Sequence, residues 1–330
     1  MSTSRRSFLS ALTAAPVALS PMFLAACGGD PAVRADGSVD LSKVTLTVGD
    51  QAGIQQSLVD AAGVLGDVPY QLRWSQFAAA SPLLEALRSG AVDIGFAGDA
   101  PTLNALGSGA DLKIVSATRA QRSFGQAILV PPGSPISTVA DLRGRTVSPT
   151  TPGSVGHYLL LNALREAGLS GRDVRISFLE PVNASAALSS RAIDAWSTWD
   201  PYTAAAQVEQ GATILRDARG LSYGLSFISA YQEALDDPAR HAAIRDFIAR
   251  YNRALEWARA NPAANARVYG EVSHRGPEVA GLVAQRQQRV GGPVDGRVVG
   301  QLQEIADNYE RFGVLREHLT IAEHVDTGLY

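Results

Sequence analysis

Cysteine, lysine and charged side chains in general are scarce in this sequence of 330 residues. Its one cysteine, Cys27, excludes an intramolecular disulfide and a zinc site built from several thiolates. Charged residues make up 18% of the chain and the formal net charge is -3, so the basic composition typical of nucleic-acid-binding proteins is missing. Hydrophobic residues reach 46%, which excludes a largely disordered chain. The length fits two domains.

The short motifs of common catalytic and nucleotide-binding sites are also missing. The chain has no H-E-x-x-H pair, no Walker loop and no G-x-G-x-x-G segment. Residues 152–156 (PGSVG) resemble the nucleophile elbow G-x-S-x-G, but Pro152 stands where the tight turn needs glycine. His318 and His324 lie six residues apart and so do not share one helical face. We therefore expect no catalytic activity, no cofactor and no metal site.

Residues 1–27 have the layout of an export signal. Arg5 and Arg6 precede a mildly apolar stretch, residues 8–24, which prolines and hydroxyl side chains interrupt. This stretch is a poor membrane span, because spanning requires about 20 strongly apolar residues. The segment 4–9 (SRRSFL) resembles a twin-arginine (Tat) export signal.

The end of this segment, residues 24–27 (LAAC), resembles a bacterial lipobox. In that motif the cysteine becomes the first residue of the mature protein and carries lipid, so Cys27 is the expected lipidation site. The alternative is a buried structural cysteine. Residues 28–42 are polar and glycine-rich at their start, which predicts a flexible tether. An anchored protein outside the cytoplasm favours binding functions over ATP-dependent ones.

Strand and helix patterns alternate along the chain and then repeat. Residues 43–49 and 92–97 predict strands, and residues 81–89 predict a helix between them. The segment 91–101 (AVDIGFAGDAP) is echoed by 192–202 (AIDAWSTWDPY), which indicates two lobes built on one plan. Alternation of this kind is typical of a parallel α/β sheet.

The chain resembles the periplasmic substrate-binding proteins of the aliphatic sulfonate, taurine and nitrate ABC-import family. The resemblance runs from about residue 45 to about residue 235 and depends on four segments. They are residues 47–53 (TVGDQAG), 83–115, 140–169 (beginning ADLRGRTVSPTTPGS) and 192–206.

The resemblance implies a type II periplasmic-binding-protein fold, in which each lobe is a mostly parallel sheet flanked by helices and the ligand lies between the lobes. Lobe 1 would comprise residues 43–125 and lobe 2 residues 126–224. Residues 225–330 would return to lobe 1 and end in helices that pack on it. The chain would cross between lobes near residues 125–130 and 221–228.

The same resemblance implies a function. The protein would be a lipid-anchored monomer of the periplasm or cell surface that captures a small organic anion, first of all an aliphatic sulfonate. It would deliver this anion to an ABC permease that works with an ATPase subunit. Other ligands of the fold stay open: nitrate or bicarbonate, a pyrimidine precursor of thiamine, or an aromatic acid. A sensory lipoprotein with the same pocket is a further alternative.

The four segments contain one lysine, Lys113, on a predicted strand, so we expect neutral donors at helix N-termini to hold the anion. Residues 98–101 and 153–157 each follow a predicted strand and open a helix, which is where α/β sheets bind ligands. The candidate ligand-binding residues are Gln51, Phe77, Gly98, Asp99, Ala100, Ser154, Val155, His157, Trp199, Asp200 and Tyr223.

Several of these candidates have a purely structural alternative. Asp99 and Asp200 could contact a ligand or only cap helices, and Gln51 could stabilise a turn. His157 could simply occupy the first turn of a helix. Strand alternation places Trp196 and Trp199 on opposite faces, so we expect Trp199 in the pocket and Trp196 in the core.

Overall fold

Two β-sheets, each covered by helices on both faces, make up the protein in this computed structural model, which describes residues 32–34, 36–121 and 125–330. The predicted signal segment, Cys27 included, lies outside the described residues. Among the helices of the described part, none has the length and apolar character needed to cross a membrane.

The strands are β1 (Thr45–Gln51), β2 (Gln71–Phe77), β3 (Ile94–Gly98), β4 (Leu112–Ala120), β5 (Gln126–Val130), β6 (Thr146–Ser148), β7 (Arg175–Ile176), β8 (Ala195–Trp199), β9 (Thr213–Asp217), β10 (Leu225–Tyr231) and β11 (Arg289–Gly292). The α-helices are α1 (Ile54–Ala61), α2 (Ala80–Arg88), α3 (Asp99–Gly107), α4 (Val155–Glu166), α5 (Pro181–Ser189), α6 (Tyr202–Gln210), α7 (Gln232–Asp236), α8 (Pro238–Ala260), α9 (Pro262–Ser273), α10 (Pro277–Arg286) and α11 (Gly296–Arg311).

The strand order is β11-β4-β10-β3-β1-β2 in the first sheet and β7-β6-β8-β5-β9 in the second. β1 pairs in parallel with β2 and β3, and β6 with β7 and β8. β5 and β10 run antiparallel to both of their neighbours. The expected two-lobed α/β architecture is confirmed, but the sheets are mixed rather than mostly parallel.

The mixed character follows from how the chain passes between the sheets. It leaves the first sheet after β4 and enters the second as β5, then leaves after β9 and returns as β10. A strand that enters from the other lobe begins at the edge where the parallel strands end. It therefore runs in the opposite direction, which a strand pattern read along the sequence does not reveal.

Helix α8 covers one face of the first sheet. The spacing of its apolar residues predicts one buried side, and Ile244, Phe247 and Tyr251 are at most 3% exposed. The ring of Phe247 lies 6.0 Å from Trp74 of β2 and 6.3 Å from Phe96 of β3. Helices α2, α3 and α11 cover the opposite face.

Helices α9 and α10 connect the two lobes. Their shared apolar cluster joins α1 of the first lobe to α6 of the second, and its members include Ile54, Ala204, Ala205, Tyr269, Val279, Ala280 and Val283. The expectation that the C-terminal helices pack on lobe 1 is therefore wrong for α10. Strand β11, which the sequence pattern does not predict, pairs antiparallel with β4 at the edge of the first sheet.

The described part of the predicted tether is folded. Val33 and Val39 form an antiparallel bridge, and the backbone N–H of Asp40 donates to the carbonyl of Ala32 at 2.7 Å. Ala32 is 3% exposed and belongs to the cluster under α8. A flexible tether over all of residues 28–42 is therefore wrong, because the small apolar residues of this stretch dock on lobe 1.

Gly156 is the point of closest packing between α4 and β8, and Gly156→Ala is expected to destabilise the fold. A Cβ at this position would lie 2.5 Å from the carbonyl oxygen of Ser197 and 2.9 Å from that of Pro149. Overpacking against backbone costs about 1–3 kcal/mol, which exceeds the roughly 0.5–1 kcal/mol that alanine gains over glycine in a helix.

The matched control is Gly281→Ala in α10, where a Cβ meets no atom within 4 Å. This substitution should raise the free energy of unfolding by about 0.5–1 kcal/mol. Urea unfolding of both variants measures the difference. A stabilised Gly156→Ala protein would contradict the close packing of α4 on β8.

Candidate functional site

A cavity of ≈ 110 Å³ lies between the two sheets. Because a water molecule needs roughly 10–15 Å³ on this measure, the cavity has room for a small solute. The strand-to-helix loops at the starts of five helices form much of its wall. These loops contribute Gln51, Ala52, Ile54 and Gln55 at α1, Ala78 and Ala80 at α2, Gly98 and Pro101 at α3, Ser154 and Val155 at α4, and Trp199, Asp200, Pro201 and Tyr202 at α6.

This convergence of helix starts makes the cavity suitable for an anion. The first N–H groups of a helix have no partner within it, and the helix dipole is positive at that end. Helices α1, α3, α4 and α6 each begin just after a strand ends, as expected for ligand sites at the carboxyl edge of α/β sheets.

Two arginines add positive charge to the cavity wall. Arg286, at the end of α10, and Arg289, at the start of β11, both line the cavity. Asp200 is the one carboxylate among the lining residues that the structure describes, so this wall keeps one net positive charge. The expectation that mostly neutral donors hold the anion stays a prediction, but the lining adds these two arginines, which come from a segment outside the motifs.

Arg289 is held in place by neutral acceptors. Its Nε donates to Thr118 Oγ1 at 2.7 Å, and its Nη2 donates to the carbonyls of Thr118 at 3.1 Å and Gly224 at 2.7 Å. Among the described residues, no carboxylate forms an ion pair with it within 4 Å. A guanidinium has five N–H donors, so these three bonds fix its plane and leave the two donors of Nη1. Burial lowers the pKa of Arg289, yet arginine stays protonated in proteins.

Arg286 and Asp200 form a pair in the same wall. Nη1 of Arg286 lies 3.2 Å from Oδ1 of Asp200, and that oxygen also accepts from the N–H of Ala204 in the first turn of α6 at 3.0 Å. Burial raises the pKa of Asp200 to about 6, and the arginine partly offsets this. Asp200 therefore takes the predicted helix-capping role and also lines the cavity.

Of the predicted site residues, the structure brings six to the cavity: Gln51, Gly98, Ser154, Val155, Trp199 and Asp200. Gln51 also donates through Nε2 to the carbonyl of Phe96 at 2.7 Å. The Ser154 hydroxyl accepts from the N–H of His157 at 3.2 Å, so it caps α4. Gly98 has no side chain, and a Cβ there would lie 2.6 Å from Val155 Cγ1 of the other lobe.

The two tryptophans separate as predicted. Trp199 lines the cavity and packs against apolar clusters of both lobes. Trp196 is 1% exposed, and its Nε1 donates to Thr150 Oγ1 at 2.9 Å inside lobe 2. The alternation of side chains along β8 accounts for the difference.

The other five candidates do not line the cavity. Phe77 and Ala100 pack into the first-lobe core. Tyr223 donates its hydroxyl to Glu304 on the partly exposed side of α11. The remaining two, His157 and Asp99, are buried beside the cavity.

His157 and Asp99 each have a structural reason for their position. Nδ1 of His157 accepts from the N–H of Gly153 at 3.2 Å, and burial lowers the pKa of this imidazole to about 4, so it is neutral at pH 7. Asp99 Oδ1 accepts from the N–H of Ala100 at 2.8 Å, which satisfies one donor at the start of α3. Burial raises the pKa of Asp99 to about 6, while the nearby charge of Arg289 lowers it.

Sequence reasoning missed the cavity residues that come from distant strands. The polar ones include Thr118 on β4, Tyr251 on α8, Arg286 and Arg289. No local motif marks them, and the pairing of β11 with β4 is what carries Arg289 to Thr118. Among the described residues, no group of His, Cys, Asp and Glu is arranged to hold a metal ion.

Comparison with known proteins identifies the family. The family model described as NMT1/THI5 like matches residues 76–265. A curated protein of Escherichia coli (strain K12), named for binding aliphatic sulfonates, is 32% identical over 256 residues, which cover 77% of this chain and 79% of that protein.

Two solved structures are similar over most of their length. The periplasmic aliphatic sulphonate binding protein SsuA from Escherichia coli has a TM-score of 0.75 at 30% identity, with 86% of this chain and 92% of that chain covered. The alkanesulfonate-binding protein SsuA from Xanthomonas axonopodis pv. citri, bound to MOPS, has a TM-score of 0.78 at 30% identity, with 86% and 98% covered. The chain therefore belongs to the NMT1/THI5-like family, in the group of periplasmic substrate-binding proteins that includes the aliphatic-sulfonate-binding proteins.

Proposed function

We propose that this protein is the solute receptor of an ABC importer and that its ligand is an aliphatic sulfonate. The observation that carries the proposal is Arg289, a partly buried guanidinium that lines the cavity and whose hydrogen-bond partners among the described residues are all neutral. A sulfonate is a permanent monoanion with three acceptor oxygens. It would match the one net positive charge of the wall and the donors at the helix starts.

The apolar part of the wall fits the alkyl chain of such a ligand. Trp199, Val155 and Leu225 line the cavity, and Tyr202 adds a ring near Trp199. Apolar contact contributes about 25 cal/mol for each Å² buried, so these side chains favour an alkyl group over bulk water.

Closure of the two lobes is the proposed mechanism of capture, without any bond-making step. Contacts that cross the cleft are already formed in this structure. Tyr202 Oη donates to the carbonyl of Ala78 at 2.5 Å, and Tyr309 Oη donates to the carbonyl of Ser154 at 2.9 Å. A ligand that touches both lobes would bind the closed state more tightly and shift the population toward it. The permease would then recognise the closed pair of lobes.

A growth experiment tests the transport role. A strain that lacks this gene should fail to grow with ethanesulfonate as the only sulfur source and should grow normally on sulfate. The chromosomal gene should restore growth, and the Arg289→Gln version should not. Normal growth of the deletion strain on every alkanesulfonate would contradict the proposed role.

We further propose that Cys27 carries the lipid that anchors the receptor. The cysteine ends a segment similar to a lipobox, and four residues separate it from the first docked residue, Ala32. Cys27→Ser should move the protein from the membrane fraction to the soluble extracytoplasmic fraction, with ligand affinity unchanged. Membrane fractionation followed by immunoblotting is the measurement. Retention of the variant in membranes would contradict the anchor.

Sulfonate affinity is expected to rise as the pH falls through about 6, the pKa of Asp200. Protonation of Asp200 removes the one negative charge among the described residues that line the cavity. Arg286, Arg289 and Tyr251 are titratable side chains of the same lining. The sulfonate itself does not titrate in this range. Each unit by which the bound anion raises the pKa of Asp200 is worth roughly tenfold in affinity.

Titrations at several pH values measure this dependence, with Asp200→Asn as the matched variant. The variant should bind with a weaker pH dependence, because Asp99, which titrates in the same range near Arg289, does not line the cavity. A wild-type profile that rises with pH would contradict the assignment.

A further inference from the structure

A buried carboxylate in the wall of an anion cavity calls for an explanation. The Asp200 side chain is 0% exposed, and its Oδ2 has no hydrogen-bond partner among the described residues. Gly125 leaves the room for it, since a Cβ there would lie 2.0 Å from Oδ2. Left alone, this carboxylate would repel a sulfonate and cancel the charge of Arg289.

Arg286 of α10 neutralises this carboxylate. Its side chain is 13% exposed, Nη1 lies 3.2 Å from Asp200 Oδ1, and Nη2 donates to Gln207 Oε1 at 2.7 Å. One bond to Asp200 and one to Gln207 of α6 hold the guanidinium in place. Because Arg286 comes from α10, the ion pair exists only while α10 packs on α6.

The ion pair also engages the carboxylate to which a cationic group of a ligand would bind. Among the described lining residues, Asp200 is the one carboxylate, so a ligand ammonium group would have to bind there. An ammonium in that place would compete with the guanidinium and would raise the positive charge beside it. A sulfonate with a neutral chain meets no such competition.

We propose that Arg286 is a specificity residue that selects alkanesulfonates over aminosulfonates by occupying Asp200. This inference deepens the proposed function and rests on it. It assigns to Arg286 a role in ligand choice, distinct from the anion binding assigned to Arg289.

The test compares two ligands of equal length, ethanesulfonate and 2-aminoethanesulfonate, which differ by one ammonium group. The wild-type protein should prefer ethanesulfonate. In Arg286→Gln the ratio of the two Kd values should move toward the aminosulfonate by about tenfold or more, because a free carboxylate attracts ammonium and repels sulfonate. The double variant Arg286→Gln with Asp200→Asn should recover the preference for ethanesulfonate.

Arg275→Gln is the matched control, since Arg275 forms an ion pair with Glu209 of α6 at 3.5 Å and does not line the cavity. Its ratio should equal that of the wild type. If Arg286→Gln fails to fold, Asp200→Asn alone provides the test, and its preference for ethanesulfonate should increase.

The outcomes separate the two proposals. Equal weakening of both ligands in Arg286→Gln, or an unchanged ratio in Asp200→Asn, would overturn the selectivity role while leaving the sulfonate receptor standing. A wild-type protein that binds neither ligand nor any other alkanesulfonate would overturn the receptor proposal and this inference together.

Discussion

Arg289→Gln is expected to weaken alkanesulfonate binding by at least about 30-fold, because truncating one partner of a buried charge-assisted contact costs about 2–5 kcal/mol. The side chain is the cavity's positive group that forms no ion pair with a carboxylate among the described residues, and Asp99, the acid whose charge it senses, does not line the cavity. Glutamine keeps part of the length and one amide donor but removes the charge.

The variant must be checked for a structural effect, since Arg289 also bonds Thr118 and Gly224. Arg289→Lys retains the charge and should recover part of the affinity, whereas a purely structural role would make lysine as poor as glutamine. The control is Arg267→Gln on α9, an exposed residue paired with Glu271. Calorimetric titration of all three variants decides the matter, and an Arg289→Gln protein with wild-type affinity would refute the assigned role.

The second large effect is expected for substitution of the two tryptophans of β8, one of which should lower ligand affinity and the other the stability of the fold. Trp199→Ala removes a wall of the cavity and should weaken binding by roughly 10- to 100-fold, equivalent to about 1.5–3 kcal/mol of lost apolar contact. Trp196→Ala should instead lower the free energy of unfolding by about 3–5 kcal/mol, because it empties a buried site in lobe 2 and removes the bond to Thr150.

Ligand titration and urea unfolding, carried out on both variants, distinguish the two roles. The exposed His318, which pairs with Glu310, provides the neutral comparison as His318→Ala. Trp199→Ala and His318→Ala with equally small losses of affinity would show that the pocket has been assigned to the wrong side of the strand.

The fold could be predicted well where the deciding pattern is local. The helical spacing of Ile244, Phe247 and Tyr251 identifies the buried side of α8, and the alternation along β8 separates Trp196 from Trp199. The direction of β5 and β10 was not predictable in this way, because it depends on which edge of a sheet the chain enters after leaving the other lobe.

The residues of the candidate site divide in the same way, into those that a local pattern predicts and those that depend on distant strand pairing. Gln51 and Gly98 end strands, Asp200 directly follows one, and Ser154 lies in the loop between β6 and α4, so the rule that α/β sheets bind ligands at their carboxyl edge finds them. Arg289 was not found, because it reaches the cavity only through the pairing of the short strand β11 with β4.

His157 shows that the same rule also selects a residue that does not line the cavity. It lies in the first turn of α4, directly after the cavity residues Ser154 and Val155, yet its ring turns toward Phe178 at a centroid distance of 5.1 Å. Position in the first turn does not fix which way a side chain points, and the bond from Gly153 to Nδ1 decides it here.

Calorimetric titration of the mature domain with ethanesulfonate tests the central claim most directly, with propionate and nitrate as competing anions. We predict saturable one-to-one binding of ethanesulfonate, weaker binding of propionate and nitrate, and loss of the heat of binding in Arg289→Gln. Saturation by nitrate or by a ring compound, with no heat from any alkanesulfonate, would contradict it.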